Sequence, residues 1–219
     1  SGMADWILGP NDEIYTVLVL HPRVFRMTAS ELLTLRINSA FEADDSGTEL
    51  LFHLSDDISA LTYIMLHEST HIVDYVERLT PYVEPAMLRL LGESPNDASF
   101  TDMAWTAYRE VSPSIDFPYQ KELRFYSLGG QPCLEYRDAI GALKALRGTP
   151  FASLYASVNW AEDLAEFVTF YYLSSIYKVE GHIQVYQDGQ LVYDYRPMSS
   201  AIVINRNRLL DPLLLLPVM

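Results

Sequence analysis

The stretch Leu61-Thr62-Tyr63-Ile64-Met65-Leu66-His67-Glu68-Ser69-Thr70-His71-Ile72-Val73-Asp74-Tyr75-Val76 decides the fold, because its apolar residues recur with helical period. Ile58, Leu61, Met65, Ile72, Val76 and Leu79 fall on one stripe. Ser55 or Asp56 can cap the start, and Pro81 lies just past the end. The pattern predicts a helix over about 56–79.

Two histidines four apart on such a helix sit one turn apart on the same face. They can grip one metal ion, and the glutamate after the first histidine lies beside them as a base for an ion-activated water. On a wheel advancing roughly 100° per residue with Glu68 at the origin, the apolar stripe spans about 20–80° on one side. His71 and His67 fall about 60° and 100° away on the other. Glu68 therefore stands at the seam between core and histidines, where an ionised carboxylate needs a partner. The competing reading is two solvated histidines at a core edge beside an ordinary glutamate.

A zinc ion in a hydrolase takes three protein ligands and keeps the fourth position for water. A third ligand six residues beyond His71 requires a glycine that ends the helix between them. Here Asp74 stands at the glycine position and Glu77 at the ligand position. The helix continues, so Glu77 projects to the far side and is rejected. A second strong helix is predicted over 159–177, opening with Asn159-Trp160-Ala161-Glu162-Asp163-Leu164-Ala165-Glu166. Glu162 and Glu166 share a face, and the small Ala165 and Thr169 beside them permit close approach to the first helix. Asn159-x-x-Glu162 equally spells a capping box, in which Glu162 has a helix-terminal role and no chemistry.

The two segments together resemble the gluzincins, zinc peptidases with His-Glu-x-x-His and a later glutamate. The run Phe151-Ala152-Ser153-Leu154-Tyr155-Ala156 followed by Glu162-Asp163-Leu164-Ala165-Glu166 is similar to bacterial zinc-binding metallopeptidases with a Glu-Asp-aromatic-Ala-Glu second motif; Leu164 departs from it. The resemblance implies a zincin-like fold, with a small antiparallel sheet packed on the motif helix and a second helical part supplying the glutamate. It implies Zn2+ held by His67, His71 and Glu162, with Glu166 supporting the site by hydrogen bonding. It also implies peptide hydrolysis with Glu68 as general base. Tyr155 is similar in spacing to a tyrosine that stabilises the oxyanion in lethal-factor-like members; Tyr171 and Tyr172 are alternatives. Asp163 either orients a ligand or favours the helix N-terminus electrostatically.

Outward from these helices, Ile14–Leu20 reads as a strand, Leu32–Phe41 as strand or helix, and 84–91 and 101–111 as helices. The proline- and glycine-bearing stretch 112–132 reads as a long surface excursion of the kind that rims clefts. Glu135–Arg147 reads as a helix, Gly181–Tyr195 as a hairpin turning at Asp188-Gly189, and Ala201–Asn205 as a further strand. Strands first, helices next and a hairpin last predict an α+β class. The 219 residues suit one domain, with an N-terminal sheet-containing lobe over about 3–80, a helical lobe over about 81–180 and a cleft between them.

A formal net charge of −14 disfavours nucleic acid and anionic membrane surfaces as partners. The resemblance implies a peptide or protein substrate, and the oligomeric state stays open. Cys133 is the single cysteine, so neither an internal disulfide nor a thiolate zinc cluster can form; it reads as a buried small side chain or an idle thiol. His21, His53 and His182 have no motif around them. Ser1-Gly2 ahead of Met3 resembles a tag remnant. No basic start with an apolar run follows, which suits the cytoplasm, and a periplasmic or secreted location stays open. The leucines Leu213 to Leu216 are too few to span a bilayer and are expected in the core. A catalytically silent zinc-binding domain and a metal-free interaction domain are the competing functions.

Overall fold

Strand β1 (Gly2–Leu8) pairs antiparallel with β2 (Ile14–Leu20) along its whole length, and β2 covers the residues read as a strand. The computed structural model describes residues 2–11, 13–92 and 99–210. Helix α1 (Ala29–Asn38) follows, then β3 (Phe41–Glu42) and β4 (Thr48–Leu54). Helix α2 (Ala60–Glu77) carries the histidines. After α3 (Pro85–Leu91) and α4 (Ser99–Asp102) come β5 (Trp105–Ala107), β6 (Glu110–Val111) and β7 (Leu134–Glu135). Helix α5 (Ala139–Leu146) precedes α6 (Trp160–Tyr171), and the hairpin β8 (Gly181–Gln187) and β9 (Gln190–Tyr195) leads to α7 (Ala201–Ile204). The class is mixed α+β, as the element order predicts.

Strands β4, β8 and β9 form one antiparallel sheet in that order. Its inner face carries Leu50, Phe52, Ile183 and Val185, and Phe52 stacks on Phe170 of α6. α6 packs along α2, with Ala165 and Thr169 fully buried. β1 and α1 also pack on α2. Buried apolar side chains from Val24 to Val203 form one contiguous cluster that joins residues before and after position 80.

Several elements differ from expectation. α2 begins at Ala60 because Ser59, not Ser55 or Asp56, accepts the Thr62 N–H. Its apolar stripe is not the buried face: Met65 is 39% exposed and Val76 63%. The buried face instead carries Ala60, Tyr63, Ile64, His67, Glu68, Thr70 and Asp74, because α6 and β1 cover that side. The ambiguous segment after Ala29 is helical, set by a capping box between Thr28 and Glu31.

Residues 101–111 are not a helix. They form the end of α4 and the small β5–β6 hairpin, because Trp105 is drawn inward by a bond from its Nε1 to Asp163 and by packing on Phe151. Ala201–Ile204 is a short helix, not a strand: no strand among the described residues pairs with it, and Val203 is seated in the core. The helix expected over 135–147 begins only at Ala139, after a short β7 bridge to β3 and a 3-10 turn. The second strong helix reaches Ile176, its last turn widening into a π turn. Stretch 112–132 is largely irregular, but Phe117, Leu123 and Phe125 anchor it in the core. Leu213 to Leu216 lie outside the described residues. No helix among the described residues is long and apolar enough to cross a membrane.

Candidate metal centre

Helix α2 presents His67 and His71 from successive turns, with ring centroids 5.0 Å apart and planes nearly perpendicular. From α6, the Glu162 carboxylate reaches both: its Oε2 lies 3.1 Å from His67 Nε2 and 3.7 Å from His71 Nε2. Asn159 caps the helix, but the Glu162 side chain does not close the capping box; it faces the histidines. The Glu162 backbone N–H donates to Asn159 Oδ1 at 2.9 Å. Glu77 is exposed, since α2 runs through it and closes at Arg78 in the left-handed region (φ 57).

One donor atom from each of His67, His71 and Glu162 lies within 4.8 Å of the others. Nitrogen and oxygen ligands of a tetrahedral zinc stand about 3.4 Å apart, given bond lengths of about 2.0–2.2 Å. The 3.1 and 3.7 Å separations bracket that value. Two imidazoles and one carboxylate form a donor set that suits zinc and leaves one position open. The set fits the ion.

Electrostatics agree with a cation site. Burial disfavours charge on His67, but Glu162 and Glu166 outweigh it and raise its pKa to about 9. Burial also works against the Glu162 carboxylate, and the two histidines nevertheless hold it well below the usual range. The raised pKa keeps a proton on the His67 ring between the two carboxylates near neutral pH.

Glu166 lies one turn beyond Glu162 and is fully buried. Its Oε1 is 3.1 Å from His67 Nδ1, close but off the line of a well-formed hydrogen bond. Arg36 Nη1 meets the same oxygen at 2.6 Å, and the Tyr63 hydroxyl donates to it. Ser153 Oγ donates to Oε2 at 2.6 Å. Burial pushes this carboxyl up, but Arg36 and His67 more than offset it and lower its pKa to about 2. A carboxylate behind a ligating imidazole fixes the ring and its tautomer.

Tyr155 is brought to the cluster, its ring 6.3 Å from that of His67. Burial, and then the Glu162 carboxylate, raise its hydroxyl well above the usual tyrosine range, so it stays a donor. A cleft of about 910 Å³ opens beside it, lined in part by Tyr108, Leu123, Phe125, Tyr155 and Glu162. The 112–132 stretch supplies one wall of this cleft, as its reading as a rim anticipates. Tyr171 and Tyr172 stack edge-to-face on each other, and among the described residues no hydrogen bond or ring contact joins either to the cluster.

Asp163 lies in the first turn of α6, the position the electrostatic reading gives it. Its carboxylate is fully buried and accepts from both terminal nitrogens of Arg206, at 2.9 and 2.8 Å, and from Trp105 Nε1. It ties α6 to residue 206, and among the described residues no hydrogen bond joins it to His67, His71 or Glu162.

Glu68 is 4% exposed. Its Oε2 accepts the Ala4 backbone N–H at 2.7 Å, and no hydrogen bond to its other oxygen is formed among the described residues. The remaining histidines lie elsewhere: His21 caps a turn through Nδ1, and His53 and His182 face each other across β4 and β8. Cys133 is exposed.

Sequence reasoning missed Arg36, Tyr63, Ser153 and Ala4. A signal for Arg36 existed: on the capped helix it lies four residues after Leu32 and three after Leu33, and so points inward with them. A charge there demands a buried counter-ion. No family model matches this chain, and no curated protein or solved structure is significantly similar to it.

Proposed function

We propose that this protein is a zinc-dependent peptidase of zincin-like architecture, with His67, His71 and Glu162 as the metal ligands. One observation carries the reading: two helices distant in sequence converge two imidazoles and a carboxylate within 4.8 Å. Both helices bear the acidic residue that the chemistry needs next to a ligand. Zinc bound there would lower the pKa of a water toward neutrality and polarise a carbonyl.

The chain's own residues supply the rest. Glu68 takes a proton from the attacking water and later gives it to the leaving amine. Glu166 holds the His67 ring. The Tyr155 phenol donates to the substrate carbonyl oxygen as negative charge develops on it. The cleft beside Glu162 receives an extended peptide.

Elemental analysis tests the metal first. About one zinc per chain is expected in the wild type, lost in Glu162→Ala and only weakened in Glu166→Ala. Screening against a peptide library then tests turnover, which Glu68→Gln should abolish while keeping its zinc. A wild type that holds no zinc after reconstitution overturns the reading. A zinc-loaded wild type that cleaves nothing leaves a silent metal-binding domain.

A further inference from the structure

Arg36 is a buried cation to which the proposed reaction assigns no step. It is 5% exposed and comes from α1, far in sequence from both motif helices. Its Nη1 meets Glu166 Oε1 at 2.6 Å and Tyr63 OH at 3.0 Å, and its Nε meets Tyr126 OH at 3.3 Å. Its guanidinium carbon also lies 4.4 Å from the centre of the Tyr155 ring.

One side chain therefore touches the carboxylate behind His67 and the face of the phenol beside the cluster. The Tyr155 ring is boxed in, with Arg36 on its face and Phe125 edge-on at 5.0 Å. The three tyrosines around Arg36 differ in one respect. The hydroxyls of Tyr63 and Tyr126 are bonded to Arg36, whereas the Tyr155 hydroxyl has no hydrogen-bond partner among the described residues. A planar guanidinium can stack on one ring and bond several oxygens at once, which an ammonium cannot. A buried ion pair is also often no more stable than an apolar filling of the same volume. Stability alone therefore does not account for Arg36.

We propose that Arg36 is a positioning residue of the peptidase site: it fixes the attitude of the Tyr155 ring, so that the free hydroxyl meets the developing oxyanion, and it holds Glu166 against His67. This rests on the peptidase reading above.

The test combines Arg36→Lys with Tyr155→Phe, and Arg36→Met with Glu166→Gln. Arg36→Lys keeps a charge for Glu166 but loses the stacked plane. It should retain zinc and KM while kcat falls about 10- to 100-fold, the size of a small misplacement of a catalytic group. In the Tyr155→Phe background the same change should lower kcat by less than about threefold, because the hydroxyl it positions is gone. Zinc-loaded protein should bind acetohydroxamate more weakly in either single variant, and no more weakly in the double.

Arg36→Met leaves Glu166 buried without its partner and should lower the melting temperature of the metal-free protein. Adding Glu166→Gln should restore that temperature but not kcat. The inference is overturned if the Arg36→Lys and Tyr155→Phe losses multiply, or if Arg36→Met/Glu166→Gln recovers kcat with its stability. A zinc-loaded wild type that neither cleaves peptides nor binds acetohydroxamate overturns the peptidase reading itself, and this inference with it.

Discussion

Arg206 grips Asp163 through two bonds of 2.9 and 2.8 Å, one from each terminal nitrogen to each carboxylate oxygen, with both side chains fully buried. The guanidinium also lies over Phe100 at 4.1 Å and bonds the Pro150 carbonyl. Through this pair the chain after β9 is pinned to the first turn of α6, next to Glu162. Arg206→Met leaves a buried carboxylate without its counter-charge, and its expected cost is about 3–5 kcal/mol. Denaturant unfolding checks it. Asp163→Asn/Arg206→Met should be less unstable than Arg206→Met alone, and the idea fails if the two changes simply add.

At the proposed site zinc would compete with a proton. With the His67 pKa raised from 6.5 to about 9, its ring is charged at pH 7 in the metal-free protein. A histidine raised by folding adds stability that is complete below 6.5 and disappears as pH rises through about 9. Metal-free protein should therefore lose stability over that window. The apparent zinc affinity should rise by up to about tenfold per pH unit across it, with about one proton released per ion at pH 7. Calorimetry in two buffers of different ionisation heat measures that proton. Release of none would exclude a charged His67.

Glu166 runs the other way. Its pKa is lowered from 4.5 to about 2, so its contribution to stability is present above 4.5 and is lost as pH falls toward 2. Glu166→Gln should flatten the acid limb of the stability curve of the metal-free protein. It should also weaken zinc binding about 10- to 100-fold, the usual size of an outer-shell loss. Competition with a chelator of known affinity reads the second effect, and an unchanged zinc affinity would remove Glu166 from the support of His67.

Ala4 offers a narrow test of Glu68. Gly9 N–H bonds Glu13 across the turn, and stepping by twos from that pair turns the Ala4 N–H away from β2 and toward α2. Ala4→Pro thus removes the bond to Glu68 without breaking the β1–β2 ladder. The expected result is retained zinc, unchanged KM and a kcat lower by about tenfold or more, since a general base acts through its orientation. Ala4→Ser, which keeps the amide, should be silent. Equal kcat in Ala4→Pro and wild type would show that Glu68 needs no backbone anchor.

Much of the site was legible before any coordinates. His67, His71 and Glu68 are local to one helix, so spacing alone puts them together. The spacing of Glu162 and Glu166 likewise puts both on one face of α6. What the spacing left open was whether the Glu162 side chain completes a capping box or faces the histidines; Asn159 makes the cap, and the Glu162 side chain faces the histidines. Hairpin β8–β9 was legible because Asp188-Gly189 has the chemistry of its turn, with both residues at positive φ. β4 was missed although its inward residues alternate, because Leu51 and His53 blur the outward set.

The sequence by itself determined the candidate donor residues and the helices that carry them, since helical periodicity and i, i+4 spacing are local properties. Tertiary structure alone decided which face of α2 is buried, that Asp163 answers to Arg206, and that Arg36 joins Glu166 to Tyr155. Those depend on which buried charge meets which, and partners as far apart as Arg36 and Glu166 leave no periodic trace in the chain. A buried charge announces that it needs a counter-ion; only packing selects it.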